Sequence, residues 1–238
     1  MKAVALVLSL LATAALAQDA APTTPAMQEL SPGVFQIGKM RLDRNKKTIA
    51  FPGKLNMNKD LIEYVIVTPE GSTHESLLVA EIQPTDLHFA MLLLGAKGAG
   101  LLAPQAKDAP PGQINAEYLK NAPRLKGDNL SISVTWKAGD AEKTAPVEDW
   151  IMQTDTKKSA PHGPWIYNGS MFGSDGGFLA QQQGLFAALV TNPGALINNP
   201  RKGNDNDRTW TVNEKAVPAV DTPVTITIVL QDGTTETK

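Results

Sequence analysis

His74, Glu75 and Ser76 stand side by side in GSTHESLLVAE, residues 71–81. A base, an acid and a nucleophile are the side-chain types of hydrolytic catalysis. In an extended strand side chains alternate, so His74 and Ser76 share a face and Glu75 takes the other. Same-face neighbours two positions apart are close enough for an imidazole to approach a hydroxyl. A serine hydrolase also needs a group that orients the imidazole and an oxyanion hole. Neither has a signature here: Ser76 lacks the G-x-S-x-G elbow, and Ser170 in NGSMFG misses its spacing. The competing reading makes the triplet a polar strand end whose side chains satisfy backbone groups or one another. On that reading His74→Ala would cost about 1–3 kcal/mol by stranding its partners.

Metal chemistry is the second candidate. The histidines are His74, His88 and His162. H-E-S-L is not H-E-x-x-H, because Leu78 stands where the second zinc ligand would be. A zinc site would need His74, Glu75 and a distant histidine to converge. His88 falls on an apolar helical segment, where a buried, hydrogen-bonded imidazole is the simpler reading. Asn204, Asp205, Asn206 and Asp207 offer side-chain oxygens in a row, as calcium requires. The EF-hand spacing is absent, however, and Asn, Asp and Gly are also what any turn uses. Arg201, Lys202 and Arg208 stand close enough in sequence to neutralise the carboxylates. No cofactor is expected on this basis, with calcium or zinc as the alternatives.

Tryptophans 136, 150, 165 and 210 are spread over the second half. Most would fill core edges, but aromatics also line ligand grooves. Trp165, with Asn168 close behind it, and Trp210, beside Arg208, are the candidates for a partly exposed binding role. GAKGAG, residues 95–100, follows a helix instead of opening one, so it is not a phosphate cradle.

These residues need a scaffold, and the pattern supplies mostly strands. Leu30 to Ile37 reads as a first strand broken at Ser31-Pro32-Gly33, and Lys39 to Lys47 as a basic loop. TIAFPGKLNM, residues 48–57, is a strand with a bulge or turn at Pro52-Gly53. Leu61–Val67 and Glu75–Ile82 are apolar runs around Pro69-Glu70-Gly71-Ser72, which predicts a β-hairpin apolar on both faces. Residues 85–95 then switch to helical spacing, with Thr85 as N-cap, and are apolar nearly all round. That predicts a buried helix. Residues 96–128 are rich in Gly, Pro and Ala, with one short helix expected over Asn115–Lys120. Leu130–Trp136 alternates and is expected to pair with Val147–Met152. Trp165–Phe172 and Phe178–Val190 suggest strands around SDGG, and Pro223–Leu230 is a closing strand. The fold class is α+β and β-rich: mostly antiparallel sheets, one buried helix at about 85–95 and a few short helical turns.

The chain has 238 residues, 42% of them hydrophobic and 19% charged, with a formal net charge of −2. That charge gives no reason to expect nucleic acid as a partner. The start, MKAVALVLSLLATAALAQDAAP, has a Lys2 n-region, an apolar run too short to span a bilayer, and Ala15-Leu16-Ala17 as a cleavage signal. Residues 1–17 therefore read as a signal peptide and 18–28 as a disordered tether. Residues 29–238 form one domain, and two lobes would divide at 96–128. After cleavage no transmembrane span remains, and the product would be periplasmic or secreted. With no cysteine, disulfides, thiol catalysis and a lipoprotein anchor are excluded, so the core alone must hold the fold.

HESLLVAEIQPTDLHFAMLLLGAKG, GPWIYNGSMF and NPGALINNPRKGNDNDRTWTVNEKAVPAVDTPVTITI resemble, in that order, the segments of the YdjY-domain proteins. The resemblance runs from about Val34 to Ile228. It implies an exported bacterial protein and brings no activity and no catalytic residues with it. Function therefore rests on the residues. A non-enzymatic exported module binding an envelope protein or cell-wall component leads. A hydrolase using His74 with Ser76 or Glu75, and a metal-dependent binder, are the alternatives.

Overall fold

A computed structural model describes residues 26–98 and 125–236 of the chain. The signal peptide, most of the tether and the helix expected over Asn115–Lys120 lie outside the described residues.

The chain begins as a meander of β1 (Met27–Ser31), β2 (Val34–Ile37), β3 (Met40–Asp43) and β4 (Thr48–Leu55). β1 starts inside the expected tether. β3 occupies what reads as a basic loop, because Met40 and Leu42 alternate inward while the charged side chains point out. β5 (Tyr64–Val67), β6 (Ser76–Ala80) and helix α1 (Pro84–Leu93) follow. The second half holds β7 (Lys126–Ala138), β8 (Ala141–Pro146), β9 (Ile151–Gln153), β10 (Trp165–Tyr167), α2 (Leu179–Gln183), β11 (Leu185–Ala188), β12 (Ile197–Asn198), β13 (Trp210–Val212) and β14 (Pro223–Glu236).

β14 shows most directly how sequence becomes sheet. In PVTITIVL the buried residues are Val224, Ile226, Ile228 and Leu230, and the threonines face away from the core. Ile226, Ile228 and Leu230 pair with Val134, Ile132 and Leu130 of β7, so two alternating apolar sets coincide on one face. On its other side β14 pairs with β4.

The sheet closes on itself. Its order is β4-β14-β7-β10-β12-β11-β5-β6, and β6 returns to pair with β4, making a barrel of eight strands instead of open sheets. β4 serves two neighbours in turn: β3 along Thr48–Ala50 and β6 along Gly53–Leu55. Pro52, which has no N–H, sits at the changeover, so the strand continues through the expected bulge or turn. A Cβ at Gly53 would lie 2.7 Å from the Val79 carbonyl oxygen, so glycine is what lets β6 approach.

Among the described residues eleven of the thirteen strand pairings are antiparallel. One exception corrects the expected hairpin: β5 and β6 are parallel neighbours. Two reversals separate them. Gly71 N–H donates to the Thr68 carbonyl at 3.0 Å, and Glu75 N–H donates to the Ser72 carbonyl at 3.3 Å. The second turn, a 3-10 turn over Thr73–Glu75, undoes the first. Because β5 is only about 13 Å long, this short connection can bring the chain back to its start. A second correction concerns β7, which pairs with β8 across Gly139-Asp140 and not with Val147–Met152. β9 pairs instead with β13 in a small separate sheet.

α1 lies where expected but is not sealed. Leu87, Ala90 and Met91 join the main core, whereas Phe89 and Leu92 are 39% and 46% exposed. Gln83 is its N-cap and Pro84 its first residue, while Thr85 donates both its N–H and its hydroxyl to Gln181 Oε1 on α2. The segment from Phe178 expected to be strand begins instead with α2.

Candidate functional site

The 3-10 turn before β6 separates the triplet. His74 is outside, with its side chain 79% exposed and Nε2 3.7 Å from Glu75 Oε2. Ser76 opens β6 fully buried, and its hydroxyl donates to the Ser72 carbonyl. Asn56 Nδ2 donates to the carbonyls of Thr73 and Ser76 at 2.6 and 2.8 Å, fixing the turn from below. The expected same-face pairing of His74 and Ser76 requires an extended backbone, and the turn breaks the alternation. Ser76 behaves as the structural reading expects. His74 does not, since it has no buried partner to strand.

The triplet and the Asn/Asp loop approach one another at Glu63. Glu63 N–H donates to the Glu75 carbonyl at 2.9 Å. Burial raises the Glu63 carboxyl above its ordinary value, with Glu75 and Asp207 adding to the shift and His74 opposing it. Tyr64 next door is also raised, first by burial, and its hydroxyl accepts from Asn192 Nδ2 at 3.4 Å. Within the loop, Asn204 turns inward and donates to the Asn199 carbonyl at 2.8 Å. Asn206 Oδ1 accepts the Arg208 N–H at 2.9 Å, while Asp205 and Asp207 are exposed. Among the described residues no three His, Asp or Glu side chains stand where they could hold a metal ion together.

The aromatic candidates are corrected by burial: Trp165 and Trp210 are both fully buried, and neither lines a groove. β10 is covered on both faces, so every residue of Trp-Ile-Tyr is inside. Trp165 Nε1 donates to Glu148 Oε1 at 3.1 Å, and the Arg201 guanidinium lies 4.7 Å from the Trp165 ring centroid. Arg201 Nη2 donates to the same Glu148 oxygen at 2.5 Å. Its other donors reach the carbonyls of Pro161 and Gly163 and Oδ1 of Asn199. Arg201 thus pairs with buried Glu148, not with the loop carboxylates; burial lowers its pKa against the opposing pull of Glu148. Asn168 is equally internal. Its Nδ2 donates to the Pro193 and Ala195 carbonyls, and its Oδ1 accepts from Asn198 Nδ2 at 2.8 Å. Trp210 Nε1 donates to the Gly203 carbonyl at 3.1 Å. Of the expected ligand-binding residues only Arg208 is exposed.

What the sequence reading missed is apolar and outside. Phe172, 60% exposed, packs on Phe178 with ring centroids 5.4 Å apart, and Phe178 packs on His88 of α1 at 5.1 Å. Leu92 stands one helical turn beyond His88 on the same face, with Phe89 beside it. These side chains form an apolar ledge across α1 and the 168–178 loop. Gln83, Thr85 and Gln181 link into a polar rim, as do Asp175 and Gln182. Beneath, His88 Nδ1 and the Tyr167 hydroxyl are 2.7 Å apart. Burial lowers the His88 pKa and raises that of Tyr167. The available signal was the unbroken apolar circumference of α1: a helix apolar all round but covered on one side must expose the rest.

A closed, mostly antiparallel eight-stranded barrel carrying an apolar helix that is covered on one side only is the class of protein these features define. Within that class the chain belongs to the YdjY domain family, whose model matches residues 40–229. No curated protein and no solved structure matches it. Among the described residues no helix is long and apolar enough to cross a membrane.

Proposed function

We propose that this protein is an exported, non-enzymatic module of the cell envelope that docks a protein partner on the α1–Phe172 ledge. The observation that carries the reading is the ledge itself. Phe89, Leu92 and Phe172 are large apolar side chains held at 39%, 46% and 60% exposure; ring contacts join Phe172 through Phe178 to His88, and Phe89 and Leu92 are its helical neighbours on α1. An apolar centre with a polar rim is the anatomy of a protein interface. Export is supported by the n-region, apolar run and Ala15-Leu16-Ala17 signal at the start of the chain.

A photo-crosslinking residue placed at Phe172 or Leu92, with Lys143 on β8 as control, tests the docking in intact envelopes. The expected result is one partner captured from both ledge positions and not from the control. Equal labelling at all three positions would refute it. Capture of glycan in place of protein would redirect the reading to a cell-wall component. Mass measurement of the exported product is expected to show a chain beginning at Gln18.

A further inference from the structure

We propose that His88 is a proton-operated catch on this ledge: the neutral imidazole holds α1 against Tyr167 and Phe178, and protonation releases it. The inference rests on the docking reading for its consequence, since the released helix carries Phe89 and Leu92, but not for its physics.

His88 is the titratable plate in an otherwise apolar stack. The Phe178 ring lies 5.1 Å away on one side, and the Tyr167 ring is at 6.1 Å. In its Nε2–H tautomer a neutral imidazole offers Nδ1 as acceptor, and the Tyr167 hydroxyl, 2.7 Å away, is placed to donate to it. A proton on Nδ1 turns that acceptor into a donor. The Tyr167 hydrogen must then leave the only side-chain partner it has among the described residues, and a full charge appears in a half-buried aromatic setting.

Among the described residues no neighbouring carboxylate answers that charge. On α1 itself the nearest acid is Asp86, two residues away and on a different face, its own pKa raised by burial. From the 168–178 loop, Gly169 and Phe178 face the ring, and Asp175 is committed to the Gly177 N–H and Gln182. From β10 the facing group is Tyr167. From β7, Asp128 bears on Tyr167, and its Oδ2 accepts the N–H groups of Lys97 and Gly98 at 2.6 and 2.8 Å. Burial alone therefore sets the direction of the shift, and it holds His88 below its ordinary value of 6.5.

The sign follows by linkage. A histidine whose pKa is lower when docked than when released takes up its proton preferentially in the released form. Docking is thus intact above the released pKa, near 6.5, and weakens as pH falls through it toward the docked value. The released population grows about tenfold for each pH unit separating the two values.

Two measurements on the full chain between pH 7.5 and 4.5 test this. The His88 ring resonance, assigned by its loss in His88→Gln, is expected to titrate with a midpoint below 6.5. Amide exchange over Pro84–Leu93, corrected for its intrinsic pH dependence, is expected to accelerate through the same window and to stay flat in His88→Gln. Tyr167→Phe removes the bond to the neutral form and should raise the His88 midpoint. Should Tyr167→Phe fold poorly, the wild type and His88→Gln still decide the matter. An unshifted His88 midpoint, or exchange that rises equally in His88→Gln, would overturn the catch. Crosslinking at Phe172 at pH 7.5 separates the two ideas. Its loss with exchange still pH-sensitive sinks the docking reading alone. Its persistence with exchange insensitive to pH sinks the catch alone.

Discussion

Two regions of this barrel invert the usual distribution of side chains. Around Trp165 the interior holds Glu148, Asn168, Asn198 and Asn199, polar and buried, with the Arg201 side chain, 8% exposed, reaching in to Glu148. At α1 and Phe172 the surface holds Phe89, Leu92 and Phe172, apolar and open. In the first region almost every polar atom has a partner, so burial is sustained by hydrogen bonds. In the second, the apolar groups have no cover within the described fold. Side-chain type alone would assign the roles backwards: the polar cluster invites a catalytic reading, and the phenylalanines a core one. Satisfaction, not chemistry, separates them. A group whose bonding capacity is filled internally is structural, and a surface left unsatisfied is free to meet something else.

Breaking the interior network should have the largest effect. Arg201→Leu leaves Glu148 buried without its cation and should destabilise the fold by about 3–5 kcal/mol in chemical denaturation. Replacing both, Glu148→Leu with Arg201→Leu, should recover much of that loss. A double variant as unstable as the single one would mean that the pair does more than satisfy itself. Next, Asn198→Ala removes one amide bridging Asn168 Oδ1 and the Asn192 carbonyl, at an expected cost of about 1–3 kcal/mol. On the ledge the pattern should reverse. Phe172→Ser should move stability by no more than about 0.5 kcal/mol, because the ring is mostly in water, yet abolish capture from Leu92. The smallest effect belongs to His74→Ala, with its side chain 79% exposed. A change within about 0.5 kcal/mol is expected there, not the larger loss that a sealed triplet would predict. A large loss would show that His74 has a buried role.

Much of the barrel was legible as segments. The β-branched runs at 48–57, 61–67, 75–82, 130–136 and 223–230 all contribute strands, because alternation and β-branching are properties of adjacent residues. Which strands pair was not legible. The parallel β5–β6 contact turns on a second reversal at Thr73–Glu75, hidden behind the obvious Pro69–Ser72 turn. The β4–β6 closure depends on Gly53, whose missing side chain reads locally as a break. The candidate site was less legible still. Trp165 and Trp210 carry no local mark of which side will be covered, and α1, apolar all round, has no face to indicate direction.

Composition and the order of apolar and polar residues by themselves determined that this chain is cysteine-free, β-rich and carries an apolar helix near residue 90, and its motifs determined its family. Local periodicity is written between neighbours, and neighbours are what a sequence records. Only the tertiary structure decided that the sheet closes, that Glu148 and Arg201 meet beneath Trp165, and that Phe172 and α1 share an uncovered surface. Those outcomes depend on contacts between residues tens to hundreds of positions apart. Such contacts are set by how the whole apolar surface can be enclosed at once, which no single stretch of chain encodes.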